Sequence, residues 1–336
     1  MDLDLVFLGT AGSAPTAQRG PSALLVRRGG ERLLIDCGEG TQRQLLRSNV
    51  GLVDLREVFL THFHADHYLG LPGMMKTFAL RGREMPLTVY GPPGLEDLFG
   101  ALKRIFGRLT YEYRLVTVRP GDALAREDYE LEVFPTEHGV SAVGYALVEA
   151  VRPGRFDVET ADALGVPFGP ERGALQRGES VTVAGRVVSP DEVLGPARPG
   201  RKIVVTGDTA PSAAVLAIAR GADVLVHEAT FLDDEEERAR ETMHSTALDA
   251  AAIARDAEVG LLALTHISSR YPGGQVARQA RAVFAETVVP KDFDIIAVPF
   301  AERGKPRLHK GGALEDQPGA VVEPAAVAGV EEDASR

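Results

Sequence analysis

The sequence predicts a layered α/β or α+β domain. Two observations predict it. Short apolar runs alternate with helical patterns along the body of the chain. Strand-like runs cluster in the first half, then alternate with helical stretches in the second. Taken in order, residues 3–8 (Leu-Asp-Leu-Val-Phe-Leu), 22–27 and 32–36 read as strands, because apolar residues run too briefly for a helix and turn residues bound them. Residues 57–61, 86–91, 130–134 and 143–148 follow the same rule. Later strands are expected at 202–206, 223–227, 260–265 and 293–298. Helical spacing falls at about 40–48, 68–80, 94–106, 211–220, 245–256 and 275–287. The 336 residues allow one large domain or two, with enough chain to bury a sizeable core.

Two segments stand apart. Residues 151–201 hold 14 Gly and Pro in 51 positions and little apolar content, so they are expected to protrude as an arm outside the main core. Within it, Glu159–Leu164 predicts a short helix stopped by Gly165. Residues 180–189 predict a hairpin around Ala184-Gly185, and Ser189-Pro190 caps a further short helix. Residues 311–336 carry six acids, one base and no aromatic, which predicts a disordered acidic tail after a domain spanning 1–310.

Composition sets outer limits. Apolar residues at 44% and charged residues at 25% exclude a fibrous or wholly disordered chain. No apolar run approaches the roughly 20 residues of a membrane span, and the acidic start does not resemble a signal peptide. No membrane partner is therefore expected. A single cysteine, Cys37, excludes an intrachain disulfide framework and suits a reducing cytoplasm. The net charge of −11 argues against indiscriminate nucleic-acid binding over the whole surface, so no DNA partner is expected; a local basic site remains open.

The chemistry concentrates in Thr61-His62-Phe63-His64-Ala65-Asp66-His67, between a strand and a helical pattern. In an extended turn His62 and His64 point the same way, while Asp66 and His67 aim at a second point. Four ligand-type side chains in six positions would be costly to bury without partners. Further ligands should sit just past strand ends, where loops gather at one face of a layered sheet. His138, Asp208, His227 and His266 satisfy that rule. Without His227, seven of these eight candidates remain, which are too many for one zinc and suit two. One centre would take His62, His64 and His138, the other Asp66, His67 and His266, with Asp208 bridging. The donor set suits Zn2+, with Mn2+ a poorer fit. Two metals about 3.5–4 Å apart clamp the attacking and leaving oxygens of an in-line displacement and lower the pKa of a bound water.

His62-x-His-x-Asp-His67, with His138, Asp208 and His266, resembles the metallo-β-lactamase superfamily. The resemblance extends to the ribonuclease Z family of tRNA 3′-processing endonucleases. It is carried by Phe7-Leu-Gly-Thr10, Asp36-Cys-Gly-Glu-Gly-Thr-Gln42, Val205-Thr-Gly-Asp-Thr209, His227-Glu-Ala-Thr230, His244-Ser-Thr246 and Thr265-His-Ile-Ser-Ser-Arg-Tyr271. It covers about residues 3–300. It implies an α/β fold of αββα four-layer sandwich type with an inserted protruding arm, two zinc ions per subunit, and cleavage of precursor tRNA after the discriminator nucleotide. It carries the seven ligands over and demotes His227 to a structural role. It makes His244 the proton donor to the leaving ribose oxygen, positioned by Glu228, with Asp66 also orienting the attacking water. Asp36 is expected to hold a zinc histidine in place.

In the arm, Gly169-Pro170-x-x-Gly173-x-Leu175-x-x-Gly178 is similar to the tRNA-binding exosite motif of that family. The family resemblance also implies a homodimer in which one subunit's arm clamps tRNA for the other's active site. Ser268 and Arg270 are expected to touch phosphate, and Arg19 to contact substrate from the loop 15–20, where the family's lysine and asparagine are replaced by Ala17 and Gly20. Lys291-Asp-Phe-Asp294 is similar to another family motif. The glycine-rich turn at 38–42 opens a helix and is compatible with either anion binding or a tight turn. One rival is a hydrolase of small phosphodiesters, sulfate esters or lactones on the same fold; it would need no arm. Another is an inactive scaffold, against which the complete ligand set argues.

Overall fold

The computed structural model describes residues 1–48, 50–52 and 55–311, so the tail expected beyond Gly311 lies outside the described residues. The strands are β1 (Leu3–Gly9), β2 (Ala23–Arg28), β3 (Glu31–Ile35), β4 (Glu57–Phe59), β5 (Leu87–Gly91) and β6 (Tyr113–Thr117), then β7 (Ala123–Ala125), β8 (Tyr129–Pro135) and β9 (Val143–Glu149). After these come β10 (Val181–Val183), β11 (Arg186–Val188), β12 (Lys202–Val205), β13 (Val224–Glu228), β14 (Leu261–Thr265), β15 (Thr287–Val288), β16 (Ile295–Ala297) and β17 (Arg307–His309). They form an eight-stranded sheet in the order β17-β16-β1-β2-β3-β4-β5-β6 and a seven-stranded sheet in the order β15-β14-β13-β12-β9-β8-β7.

Alternation along the strands creates the layers. In β1, Leu3, Leu5 and Phe7 face one way, and Val6 and Leu8 the other. The first set meets Val26, Leu33, Tyr145, Leu147 and Val226 in a core between the sheets. The second meets Leu45, Met74, Phe78 and Phe99 from helices on the outer face. On the opposite side, Val204, Leu225 and Leu262 pack under Val215, Ala250, Ala254 and Val276. The result is the αββα sandwich. Helix Leu95–Phe106 illustrates the fit: Leu95, Phe99, Leu102 and Phe106 recur at helical spacing and are the residues it buries. Helix Ala247–Asp256 presents alanines to the sheet and begins with a capping box between Thr246 and Asp249.

The topology gathers the ligand loops. β12, β13 and β14 are parallel, so their carboxyl ends lie together at Val205, Glu228 and Thr265. The other sheet brings the loop after β4 to the same end, where Val143 N–H donates to Thr61 O at 2.9 Å. Gly207 permits the close approach: it has φ +65°, and a Cβ there would lie 2.7 Å from Thr61 Cβ.

The expected strands all form, with small shifts. The 57–61 strand ends at Phe59, because Leu60 and Thr61 turn away to reach the site. The 275–287 helix is observed as Gly273–Arg281, and Thr287–Val288 instead pairs with β14. The strands that the sequence did not announce, β6, β7, β15 and β17, are the edges of the two sheets. Edge strands are short and half solvated, so their apolar signal is weak.

Residues 151–201 form a separate body between β9 and β12. Helices Val158–Ala163, Pro170–Gln176 and Pro190–Val193 and the β10–β11 hairpin close around Ala161, Val166, Leu175, Val188 and Val193. The hairpin turn has positive φ at both Ala184 (48°) and Gly185 (82°). Where the arm leaves the sandwich, Glu149 is buried between two guanidinium groups. It accepts from Arg28 Nε at 2.8 Å and from Arg201 Nε at 2.7 Å and Nη2 at 2.6 Å. Glu149→Ala would leave buried Arg201 without a carboxylate and Arg28 with Asp128 and Glu31 alone, and should cost about 3–5 kcal/mol of unfolding free energy in urea titrations.

Candidate metal centre and active site

The six-residue turn after β4 places its ligands by simple geometry. His62 lies three residues past the end of β4, His64 has extended backbone, and Ala65 begins a helical turn that carries Asp66 and His67. His62 and His67 are fully buried, whereas His64 and His138 face the opening. His62 Nε2 lies 3.0 Å from His64 Nδ1, and His138 Nε2 lies 3.1 Å from that same atom. His266 Nε2 lies 3.2 Å and His67 Nε2 3.5 Å from Asp66 Oδ2. Asp208 stands between the two groups: its Oδ2 is 3.4 Å from His67 and His266 and 3.7 Å from His62. All seven residues expected as ligands therefore converge on one site: His62, His64, His138 and Asp208 form one group, Asp66, His67 and His266 a second, and Asp208 and His266 form a third with His244.

The donor set fits a pair of divalent cations. His67 Nε2 and Asp208 Oδ1 are buried with no hydrogen-bond partner, a costly condition unless something else is bound there. Burial, together with the nearby His67, pushes His62 down to about 2, so its ring is a neutral donor. Burial opposes charge on His67, but Asp208 and Asp36 outweigh it and hold the ring well above its ordinary value. A cation would take the place of that proton. Burial likewise opposes charge on Asp66, yet the hydrogen bond from His266 and the charge of His67 bring it to about 2.

A surrounding layer aims each ring. His67 Nδ1 pairs with Asp36 Oδ2 at 2.7 Å, and Asp36 is held by the Thr61 amide at 2.9 Å. His266 Nδ1 meets Thr230 Oγ1 at 2.8 Å, and Thr230 donates to Glu228 at 2.6 Å. His138 Nδ1 donates to Met243 O at 3.1 Å, and His62 Nδ1 lies 3.1 Å from Thr61 Oγ1. Asp36 and His266 both adopt positive φ, 58° and 55°, a strained backbone that the site retains. Sequence reasoning missed Thr230, Met243 O and the Ser13 amide, which donates to Asp66 Oδ2 at 2.9 Å. Backbone partners leave no residue signature; Thr230 was visible only as part of a motif.

Beside the metal ligands, Glu228 Oε1 lies 2.7 Å from His244 Nδ1 and accepts the Thr209 amide at 2.7 Å. Burial works against charge on His244, but Glu228 outweighs it and raises the ring to about 9. Its ring stacks on His266 with centroids 5.5 Å apart. His227 is buried in β13 with only Nδ1 paired, to Glu228 O, so it is a core residue facing away from the ligands but not a fully satisfied one.

Two expected substrate contacts, Arg19 and Leu175, read differently in the structure. Arg19 turns inward, donating to Thr10 Oγ1 at 2.6 Å and Pro290 O at 2.7 Å, and so braces the loop against Asp292 instead of presenting its guanidinium to substrate. Leu175 is fully buried in the arm's own core, so its side chain is packing. Arg270 is ion-paired to Glu235 at 3.3 Å and lies over the rings of Phe231 and Tyr271. Ser268 lies beside it, its Oγ accepting the Arg270 amide at 3.4 Å. In the arm motif, Gly169 has φ +138° and Gly178 +89°, and Gly169-Pro170 starts a helix whose next turn carries Gly173. The turn at 38–42 is packed: a Cβ on Gly38 would lie 2.4 Å from Asp66 O, which favours the tight-turn role. The 291–294 motif braces the fold, with Asp292 accepting from Thr10, Gly20 and Gln44.

Fold and site together define a metal-dependent hydrolase of the β-lactamase superfamily, and the model of the β-lactamase superfamily domain matches residues 31–267. The chain is 46% identical over 301 residues to ribonuclease Z of Methanosarcina acetivorans, covering 89% of this chain and 99% of that one. It is 47% identical over 271 residues to ribonuclease Z of Myxococcus xanthus, covering 80% and 88%. Among solved structures it is similar to the short form of human tRNase Z, at 26% identity and a TM-score of 0.64, covering 88% of this chain and all of that one. The chain belongs to the ribonuclease Z family.

Asp208→Ala should remove most bound divalent metal as read by elemental mass spectrometry, with the circular dichroism spectrum unchanged. Asp36→Ala, which frees the ring of His67 and the Thr61 amide, should weaken metal affinity about 10–100-fold.

Proposed function

We propose that this chain is an endoribonuclease that removes 3′ trailers from tRNA precursors, cutting after the discriminator nucleotide to leave a 3′-hydroxyl on the tRNA. The observation that carries the reading is the Glu228–His244 pair set against the metal cluster, since a departing ribose alkoxide needs a proton donor at that place. Zinc is the metal favoured by the donors: His62, His64 and His138 would hold one ion, Asp66, His67 and His266 the other, with Asp208 shared. When bound, the ions would supply a nucleophile at neutral pH and offset charge on the phosphate.

The chain's own groups do the rest. His244 gives Nδ1 to Glu228, which leaves Nε2 to hold the proton for the leaving oxygen. Asp66, fixed by the Ser13 amide, orients the attacking water. Ser268 and Arg270 sit just past His266, where a phosphate flanking the cut would pass. The backbone around Gly169, Pro170, Gly173 and Gly178 offers the arm's contact to tRNA.

Position favours action between two subunits. The arm is rooted at Glu149 and Lys202, whereas the active site lies at the other ends of β9 and β12. A seven-residue strand such as β9 spans about 20 Å. An arm so far from its own site is suited to a substrate seated in a partner, which supports a homodimer. No described helix is long and apolar enough to cross a membrane, and the single buried cysteine suits the cytoplasm.

Incubation with a precursor tRNA transcript and zinc or manganese should give one cut 3′ of the discriminator; random cleavage or an intact transcript would refute the reading. His244→Ala should lower the cleavage rate by about 10²–10⁴-fold while leaving tRNA binding in filter assays intact. Deleting residues 152–197 should weaken tRNA binding yet spare hydrolysis of bis(p-nitrophenyl) phosphate; equal losses on both substrates would contradict the assigned division of labour.

A further inference from the structure

Two legs carry the chain into and out of the arm. Arg152 and Arg198 pair by backbone hydrogen bonds of 2.8 and 2.9 Å, Gly195 N–H donates to Arg155 O at 2.9 Å, and Asp157 N–H to Val193 O at 2.7 Å. Gly154 allows this contact, since a Cβ there would lie 1.8 Å from Gly195 O. The ladder stiffens the stalk internally. It does not fix the angle at which the stalk leaves the sandwich, because the arm's apolar cluster shares no member with the cores of the body.

A side chain outside the arm supplies that link. Glu302 accepts two parallel hydrogen bonds from Arg152, Nη1 to Oε1 at 2.9 Å and Nη2 to Oε2 at 3.0 Å. Its Oε1 accepts a third from Arg198 Nη1 at 3.0 Å. One guanidinium comes from each leg, and each is also aimed by a carbonyl of the opposite leg: Arg152 Nη2 at Pro199 O (3.2 Å) and Arg198 Nε at Pro153 O (3.0 Å). A forked pair of this kind fixes direction as well as distance. Phe300 lies under the clamp, with Arg152 3.5 Å and Arg201 4.0 Å from its ring centroid. Arg201 is the residue bound to buried Glu149, so the clamp is continuous with the anchored end of the sandwich. Among the described residues, two body side chains are hydrogen-bonded to side chains of segment 151–201: Glu149, which holds Arg201 at the root, and Glu302, which joins one guanidinium from each leg.

We propose that Glu302 is a positioning residue for substrate capture: by joining Arg152 and Arg198 it sets the angle of the arm, and with it the share of molecules placed to receive a tRNA. The inference rests on the tRNA-processing reading. Glu302 lies on the loop after β16, whose Ala297 end pairs with Asp4 at the start of β1, away from the ligand loops, so it touches no reacting atom. If release of the clamp lowers the competent share to about a tenth, the apparent Kd and KM for tRNA rise about tenfold while kcat is unchanged.

The test uses the full chain and its Glu302→Gln and Glu302→Asp variants. Kinetics are measured on a precursor tRNA and on bis(p-nitrophenyl) phosphate. Arm orientation is read by pulsed electron double resonance between nitroxides on Val187→Cys and Ile105→Cys, both exposed, with labelled protein diluted in unlabelled; native Cys37 is buried. Glu302→Gln should raise KM for tRNA about tenfold, leave kcat and the small-substrate rate unchanged, and broaden the distance distribution, with Glu302→Asp in between. An unchanged KM overturns the proposal, as does a raised KM with an unaltered distribution. Should Glu302→Gln fail to fold, Arg198→Gln breaks the same clamp from the other side. If the wild-type chain does not cut precursor tRNA, the tRNA reading falls, and the distribution alone then decides whether Glu302 holds the arm.

Discussion

The structure is organised around one carboxylate. Asp208 lies within 3.7 Å of three buried imidazoles, and one of its oxygens has no protein partner. Nothing in an apolar sandwich favours packing five histidines and two aspartates so closely; their mutual desolvation opposes folding unless positive charge is shared among them. That charge must come from protons or from metal ions. The rings of His62 and His67 show the division: burial presses one towards neutrality, while two carboxylates raise the other well above its ordinary value.

The cost of gathering these groups is spread through the fold. His138, Asp208 and His266 follow strand ends and the other four lie in the turn and short helix after β4, so the sandwich itself fixes where the cluster forms. Hydrogen bonds from Asp36, Thr230, Thr61 and Met243 then fix which way each ring faces. Glu228 serves two sides at once, steadying Thr230 behind His266 and pairing with His244 in front. In the proposed mechanism the support of His266 and proton donation by His244 therefore share one carboxylate.

In the proposed reading, recognition is placed elsewhere. The arm has its own small core and a pair of legs, and leaves the sandwich at the end opposite the ligand loops. Separation of this kind lets a long substrate span two anchored points while hydrolysis depends on only one of them. It also explains why the arm can be poor in apolar residues: it is held by backbone pairing and guanidinium–carboxylate contacts, not by burial in the main core.

By itself the sequence determined the central strands, the helices that cover them, and which seven imidazole and carboxylate side chains would converge. It could do so because buried strands and metal-binding turns write strong local patterns: apolar runs of fixed period, and imidazoles at spacings an apolar core does not tolerate. It did not determine the edge strands β6, β7, β15 and β17, whose half-solvated residues carry little pattern. Nor did it determine what Arg19 and Leu175 touch, or that Glu302 meets Arg152 across 150 positions. A charged or apolar residue looks the same in the sequence whether it faces solvent, a ligand or a neighbouring loop. Only the packing of distant segments decides which, because that choice depends on partners the local chain does not contain.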